Sequence, residues 1–218
     1  MEFYIMGNNT SKSKRWSYAP RFYPIDGVVE KRCSTCGSVE KYPIGKFAID
    51  LEGGTKYPDI LLCGQYPLLI VSEKVINDWE SEEFKGYKYF PIEIRNIDSK
   101  ALKDKPPLKY YSVEVTSNCE LDFHLMDVNI VDICNECGKV KFSKQIWEMN
   151  TFVVNRNSWT GTELFVSSLF PRKIIVSKDV VRCSCKNKHT NFKFLHEKDC
   201  LNVFAQAIDI KVLCKKLI

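Results

Sequence analysis

Two stretches of the chain join an apolar run to a serine and then to a short amphipathic segment. In the first, Leu68 to Val71 is apolar and partly β-branched, which predicts a buried strand. Ser72 follows at a helix N-cap position, where its hydroxyl can accept an unpaired backbone N–H. The spacing of one apolar helix face is then kept by Val75, Ile76 and Trp79. Gly86 predicts the end of this helix, and Tyr87 to Ile94 predicts the next strand.

The second stretch repeats this order about 105 residues further along the chain. Lys173 to Val176 predicts a buried strand, and Ser177 predicts another helix N-cap. The helix after Ser177 is the weaker part of the pattern, because the run from Cys183 to Cys185 replaces good helix formers.

Matching motifs recur in the same order along the whole chain, which indicates an internal duplication. The matched residues, first copy and then second, are 33–37 with 134–138, 59–61 with 163–165, Pro67 with Pro171, 70–76 with 175–181, and 87–90 with 192–195. Five matches in one order, at offsets between 101 and 105 residues, favour duplication over chance.

We therefore predict an α+β fold of internally duplicated, mixed or antiparallel sheet units with few helices. The two units would be joined at a four-cysteine site that resembles a zinc ribbon. The predicted divisions are an N-terminal segment (1–30), a first repeat unit (31–105), connecting strands (106–133) and a second repeat unit (134–218). All four would pack as one compact body.

Each unit carries one Cys-x-x-Cys-Gly turn, and the four cysteines are Cys33, Cys36, Cys134 and Cys137. Such a turn places two thiolates on one side of a tight loop, and its glycine allows the positive φ that turns backbone N–H groups toward the sulfurs. Two turns complete a tetrahedral shell for one Zn²⁺. A closed shell of four thiolates leaves no position for a substrate, so the site is expected to be structural.

Two other interpretations of these turns stay open, namely bare thiol pairs and an iron centre. A redox pair of the thioredoxin kind opens a helix, whereas the glycine after each pair in this chain suits a turn. Zinc tolerates an all-thiolate shell without needing a redox partner, which favours it.

The composition is that of an ordinary globular protein of 218 residues with a net charge of +5. No apolar run reaches the roughly 18 residues of a membrane span, and the N-terminus lacks the order of a secretory signal. Ten cysteines without an export signal indicate a reducing compartment, in which thiols stay free or bind metal. We therefore expect a cytoplasmic protein without membrane contact.

The remaining candidate ligands and catalytic groups are few. Cys183 and Cys185 with His189 could form part of a second metal site, although partly buried thiols near a helix end are the simpler interpretation. Asp59 and Glu163 could be paired carboxylates for acid–base work, but carboxylates that accept backbone N–H bonds are favoured. The thiols that are predicted to lie in the core are Cys63, Cys119, Cys200 and Cys214. No nucleotide-binding, protease or esterase motif occurs, so we expect no enzyme.

With both cysteine turns in place, the sequence resembles the bacterial double-CXXCG motif proteins, which are associated with immunity to polymorphic toxins. The resemblance extends from about Cys33 to His196. Besides the two turns it includes residues 57–61, 70–72, 106–111, 158–165 and 191–194. Glu163 departs from it, because an aspartate would be expected at this position.

The resemblance implies a protein without chemistry of its own that binds and blocks one cognate toxin domain. Candidate contacts with such a partner are Trp147, Trp159, Asp59 and Glu163. For the tryptophans, burial in the core is the alternative. The mildly basic chain predicts a neutral or acidic toxin face, since opposite charges complement each other.

A zinc-ribbon nucleic-acid-binding protein is the alternative function. It would use the local excess of lysine and arginine over residues 172–193 to contact phosphates. Neither half of the chain is the basic block of a dedicated nucleic-acid binder, and stretches of this kind are commonly solvated faces.

Overall fold

The computed structural model describes residues 1–8, 14–61, 63, 69–144, 151–167, 173–197, 208–209 and 214. Over these residues the chain forms strands with two helices, so the predicted α+β class with few helices is confirmed. The elements are β1 Phe3–Asn8, β2 Tyr18–Pro24, β3 Val28–Arg32, β4 Val39–Pro43, β5 Phe47–Glu52, β6 Ile60–Leu61, β7 Leu69–Ser72, α1 Glu73–Ser81, β8 Tyr87–Asp98, β9 Tyr110–Val115, β10 Ile130–Ile133, β11 Val140–Phe142, β12 Leu164–Phe165, β13 Ile174–Ser177, α2 Lys178–Lys186, β14 Phe192–His196 and β15 Ile208–Asp209. Neither helix in the described part of the chain has the length and apolar character that crossing a membrane requires.

The strands build two large sheets and two separate hairpins. The six-stranded sheet has the order β2-β5-β8-β9-β7-β6, and the five-stranded sheet has the order β12-β13-β1-β14-β15. The hairpins are β3-β4 and β10-β11. Only the β5–β8 pair of these neighbours is parallel, so the larger sheet is mixed and the other is antiparallel.

The first strand of the chain lies far from its sequence neighbours. β1 runs between β13 and β14, and β9 takes the same place between β7 and β8 in the other sheet. Each large sheet therefore has at its centre one strand that comes from outside its own strand–helix–strand unit.

Both predicted helices are present and have the same length. α1 buries the predicted face of Val75, Ile76 and Trp79, and α2 forms despite its cysteines. The cysteines of α2 fit a helix because Cys183 and Cys185 lie on its buried side. The apolar packing of that side outweighs their weak helix propensity.

The two predicted serine caps are only partly correct. Ser72 and Ser177 have the extended backbone of an N-cap, but neither hydroxyl caps its helix. The Ser72 hydroxyl donates to Oδ1 of Asp59 at 2.9 Å, and this bond orients the side chain toward the carboxylate. Within the part of the chain that the structure describes, the buried Ser177 hydroxyl has no hydrogen-bond partner.

One core cluster joins the two sheets and the two helices. It includes Trp79 of α1, Val180 of α2, Tyr4 of β1 and Phe194 of β14. A second cluster lies around Phe3, Phe152 and Phe165, and a third lies around Ile49, Leu51 and Tyr110. The division of the chain into four segments stays a prediction.

Gly86, just before β8, is needed where the chain passes close to Leu164 of β12. Its φ is +96°, and a Cβ at this position would lie 2.1 Å from the carbonyl oxygen of Leu164. Gly161 has a similar φ of +88°, but a Cβ there would meet nothing within 4 Å.

We expect Gly86→Ala to lower the free energy of unfolding by about 3 kcal/mol, measured by urea titration. Gly161→Ala is the matched control, and we expect it to cost about 1 kcal/mol, since it carries only the strain of the positive φ. Equal losses in the two variants would show that the contact with Leu164 is unimportant.

Candidate metal centre

Two hairpins present the four cysteines of the Cys-x-x-Cys-Gly turns. The first turn joins β3 to β4, and in it the Gly37 N–H donates to the carbonyl of Cys33 at 3.0 Å. The second turn joins β10 to β11, and the Gly138 N–H donates to the carbonyl of Cys134 at 2.8 Å. The glycines have φ of +68° and +70°, which is the conformation that the sequence predicted.

The four sulfurs converge. All lie within 4.8 Å of one another, and the Cys33–Cys134 and Cys36–Cys137 sulfurs are each 3.6 Å apart. A tetrahedral ion with sulfur ligands at about 2.3 Å separates those ligands by about 3.8 Å, whereas a disulfide needs about 2.05 Å. The cluster therefore has the dimensions of a four-thiolate metal site and could hold one metal ion.

Hydrogen bonds prepare two of the sulfurs to act as thiolates. The hydroxyl and backbone N–H of Ser38 lower the pKa of Cys36 to about 6. The backbone N–H of Lys139, together with the Ser38 hydroxyl, lowers the pKa of Cys137. The backbone N–H of Cys36 acts in the same direction on Cys33, but burial and the neighbouring thiols outweigh it and raise the pKa of Cys33 to about 12.

A glutamate from the second turn ties the two turns together. The carboxylate of Glu136 accepts hydrogen bonds from the backbone N–H groups of Ser34 and Thr35 at 3.1 and 3.0 Å. It also accepts the hydroxyls of both residues at 2.6 Å. These donors, led by the Ser34 and Thr35 hydroxyls, lower the pKa of Glu136 to about 2. Sequence reasoning did not identify Glu136, because nothing in the spacing of one turn indicates what faces it.

The structure places Asp59 and Glu163 in internal hydrogen bonds. Oδ2 of Asp59 accepts the backbone N–H and the hydroxyl of Thr190, both at 2.8 Å. Oε2 of Glu163 accepts the backbone N–H of Lys85 at 2.7 Å. Each carboxylate thus bonds to a loop of the opposite half.

Of the two tryptophans predicted to contact a partner, Trp159 is described by the structure and Trp147 is not. Trp159 is partly buried, its indole N–H donates to the carbonyl of Thr162 at 2.8 Å, and its ring lies 5.5 Å from that of Phe3. Trp147 lies outside the described residues.

The second metal site considered from the sequence does not form. Cys185 makes a disulfide with Cys214 across a Cα separation of 5.4 Å, so the expectation that both thiols stay free is wrong. His189 is turned away from the cysteines, and its ring nitrogens face Asp78 at 2.7 Å and Ser184 at 3.2 Å. Sequence alone could not pair Cys185 with Cys214, since the pairing depends on where the C-terminal segment lies. Among the described residues, the four-cysteine cluster is the group that could hold a metal.

Three of the seven basic residues over 172–193 form ion pairs within the chain. Lys186 contacts Glu82 at 2.9 Å, Arg182 contacts Asp179 at 3.2 Å, and Lys178 contacts Glu2 at 2.5 Å. In each pair an acidic side chain offsets the positive charge that would otherwise attract a phosphate.

No protein-family model matches this chain, and no curated protein is significantly similar to it. The likeness to the double-CXXCG motif proteins is therefore carried by the motifs alone, namely the two cysteine turns and the strand–serine steps. The function of the chain has to be argued from its geometry.

We expect Glu136→Gln to weaken metal binding about tenfold, because the variant loses the charge that holds the two turns in register. Competition with a chromophoric chelator measures this. Glu40→Gln, an exposed carboxylate on β4 of the facing hairpin, is the control and should bind metal like the parent. Equal affinities for all three proteins would show that Glu136 does not support the site.

Proposed function

We propose that this chain is an immunity protein that binds and neutralises a cognate bacterial toxin domain, and that a structural Zn²⁺ joins its two duplicated halves. The observation that carries the proposal is the convergence of four cysteines from two distant turns. A structural ion suits a protein that acts by binding, since binding tightly requires a surface held in one shape.

The choice of zinc follows from the ligands. Cys33, Cys36, Cys134 and Cys137 are all soft thiolate donors at tetrahedral spacing, which suits Zn²⁺ better than a hard cation. Four protein ligands fill its coordination shell, so the ion supplies a cross-link between the hairpins.

Strand register supports the internal duplication. β9 pairs with β7 and β8 in the same register in which β1 pairs with β13 and β14, once the second copy is shifted by 105 residues. A chance likeness between two sheets would not keep both neighbours of a central strand in register. The corresponding pairs are Tyr111–Val71 with Tyr4–Val176, and Val113–Tyr89 with Met6–Phe194.

The bonds across the junction are also reciprocal. Asp59 of the first half bonds to Thr190 of the second, and Glu163 of the second bonds to Lys85 of the first. Lys85 and Thr190 are themselves 105 residues apart. The residues that follow them share a positive φ: Gly86 at +96° and Asn191 at +68°. This is the pattern expected when two copies of one unit meet around an approximate twofold axis.

A binding role is supported over a catalytic one by the state of the strongest catalytic candidates. The Asp59 carboxylate is nearly buried, and all the partners recorded for it and for Glu163 lie inside the chain. Their hydrogen bonds hold loops in place. In the cytoplasm, such a chain would act by covering the toxin.

Nucleic-acid binding is the less supported function. Phosphate recognition needs basic side chains free of acidic partners, and the ion pairs of Lys178, Arg182 and Lys186 occupy the stretch that would provide them. We keep the expectation that the toxin face is neutral or acidic.

Protein purified without added metal should contain one Zn²⁺ per chain by elemental analysis. We expect the double variant Cys134→Ser, Cys137→Ser to lose the ion and to unfold roughly 5–10 °C lower, since loss of the cross-link costs a few kcal/mol. Cys63→Ser, which changes a cysteine outside the cluster, is the control and should keep one Zn²⁺. Stoichiometric iron, or no metal in anaerobically purified protein, would contradict the assignment.

The immunity role predicts that a neighbouring gene encodes a large secreted protein with a toxic C-terminal domain. Co-expression of this chain should restore the growth of bacteria that express that domain, and the two should copurify. An unrelated toxin is the control and should still kill. Continued killing by the neighbouring domain, with both proteins soluble, would argue against the proposal.

A further inference from the structure

The two copies differ at one edge of their sheets. β14 has a strand on each side, β1 and β15. β8 is paired with β9 over Tyr87–Ile92, but its pairing with β5 on the other side begins only at Ile92. Within the described residues no strand pairs with that other side over residues 87–91, which we call the open edge.

The equivalent edge in the second copy is covered by the chain itself. β15 pairs antiparallel with β14, and Lys193 is opposite Asp209 while Phe194 is opposite Ile208. Lys193 and Phe194 are 105 residues after Lys88 and Tyr89 of the open edge. Register therefore shows where a strand would lie on β8, because its counterpart lies there on β14.

The covered and open edges differ sharply in exposure. Phe194 and Leu195 of β14 are 1% and 2% exposed, whereas their counterparts Tyr89 and Phe90 are 38% and 39% exposed. Successive residues on a strand point to opposite faces, so β8 offers an aromatic ring on each face. A strand added at this edge could therefore pack against one of these rings on each face.

The backbone of the open edge is oriented to accept a strand. The carbonyl of Gly86 accepts the N–H of Thr116 at 2.8 Å, so Gly86 is bonded toward β9. Because bonding alternates along an antiparallel pair, Lys88 and Phe90 also bond toward β9, and Tyr87 and Tyr89 direct their N–H and C=O groups outward.

A groove beside the edge can receive side chains. Its volume is about 470 Å³, and it is lined by Glu80, Phe84, Tyr87, Lys88, Tyr89 and Phe90. The Tyr89 ring is braced, since its hydroxyl donates to Glu80 at 2.6 Å and its ring lies 5.3 Å from that of Tyr111. The aromatic wall is thus already formed before a partner arrives.

We infer that the open edge binds an extended segment of a partner protein as an added antiparallel strand, with an acidic residue opposite Lys88 and an apolar residue opposite Tyr89. Backbone bonds to Tyr87 and Tyr89 give the segment its direction, and the groove and Lys88 select its side chains. The inference rests on the proposed function only in taking the toxin domain as the source of the segment.

A labelled peptide tests the edge without the toxin. The probe has the sequence of residues 204–213, FAQAIDIKVL, because this segment contains the strand that covers the equivalent edge. Fluorescence anisotropy with the full chain should show saturable binding. Lys88→Glu should weaken it about tenfold, and a peptide with lysine in place of its aspartate should bind Lys88→Glu better than it binds the parent.

Two controls separate strand addition at β8 from other modes of binding. Lys193→Glu alters the equivalent position on β14 and should bind the peptide like the parent. A loss in Lys193→Glu alone would mean that the peptide displaces β15, which overturns the inference. A peptide N-methylated at the isoleucine before its aspartate should not bind, since it lacks the N–H that meets Tyr89; unchanged binding would overturn strand addition.

Two further results would count against the inference. No peptide binding to the parent chain would overturn the inference, as would a dimer in sedimentation that Lys88→Glu converts to monomer, because a second copy would then cover the edge. Growth rescue distinguishes this inference from the proposed function. If Lys88→Glu neutralises the toxin as well as the parent does, the immunity role stands and the open edge is not its contact.

Discussion

Four sulfurs within 4.8 Å of one another are the constraint on which the arrangement of the two hairpins depends. One metal ion bound by all four sulfurs would cancel the repulsion between thiolates this close, which is about 1 kcal/mol per pair even in water. Apolar packing cannot replace it, since both hairpins expose their large side chains. These are Val28, Val39, Ile130, Val131 and Ile133. A bound ion and the Glu136 carboxylate would therefore act together, one on the sulfurs and the other on the backbone beside them.

A second junction, at which α1 meets the end of α2, is held by polar contacts. The Lys74 ammonium donates to the carbonyl of Asn187 at 2.6 Å, and the buried His189 faces Asp78 at 2.7 Å. Burial lowers the pKa of His189, against the effect of the hydrogen bond to Asp78. Two junctions at separate places restrict rotation of one half against the other, which one metal site alone would permit. A surface that spans both halves can then keep its shape.

Local sequence patterns predicted both helices, the strands beside them and the four-cysteine cluster. They did not predict the contacts between residues that are far apart in the sequence. The sequence predicts the two thiol pairs because the conformation of a Cys-x-x-Cys-Gly turn depends only on its own five residues. Glu136 could not be found in this way, since its four donors belong to the other turn. The placement of β1 between β13 and β14 and the Cys185–Cys214 disulfide likewise join residues that lie far apart in the sequence. The predicted serine caps were only partly correct, and a distant contact, the hydrogen bond from the Ser72 hydroxyl to Asp59, was not foreseen.

If the two units arose by duplication, as we propose, they have diverged at positions that the shared backbone arrangement does not constrain. At the start of each helix the same backbone hydrogen bond is present, from the N–H of Glu73 to the carbonyl of Lys109 and from the N–H of Lys178 to the carbonyl of Glu2. The same residues also form an ion pair at each helix, but the helix residue is the acid in the first pair and the base in the second. The open edge shows a difference of another kind, since β15 covers β14 while no strand among the described residues covers the equivalent part of β8. An exposed edge invites indiscriminate pairing. Pro91 limits it, because a proline has no N–H for a ladder to continue, and Lys88 places a charge where an apolar strand would have to lie. The edge is thereby restricted to short segments that bring their own negative charge, which is selective binding rather than aggregation.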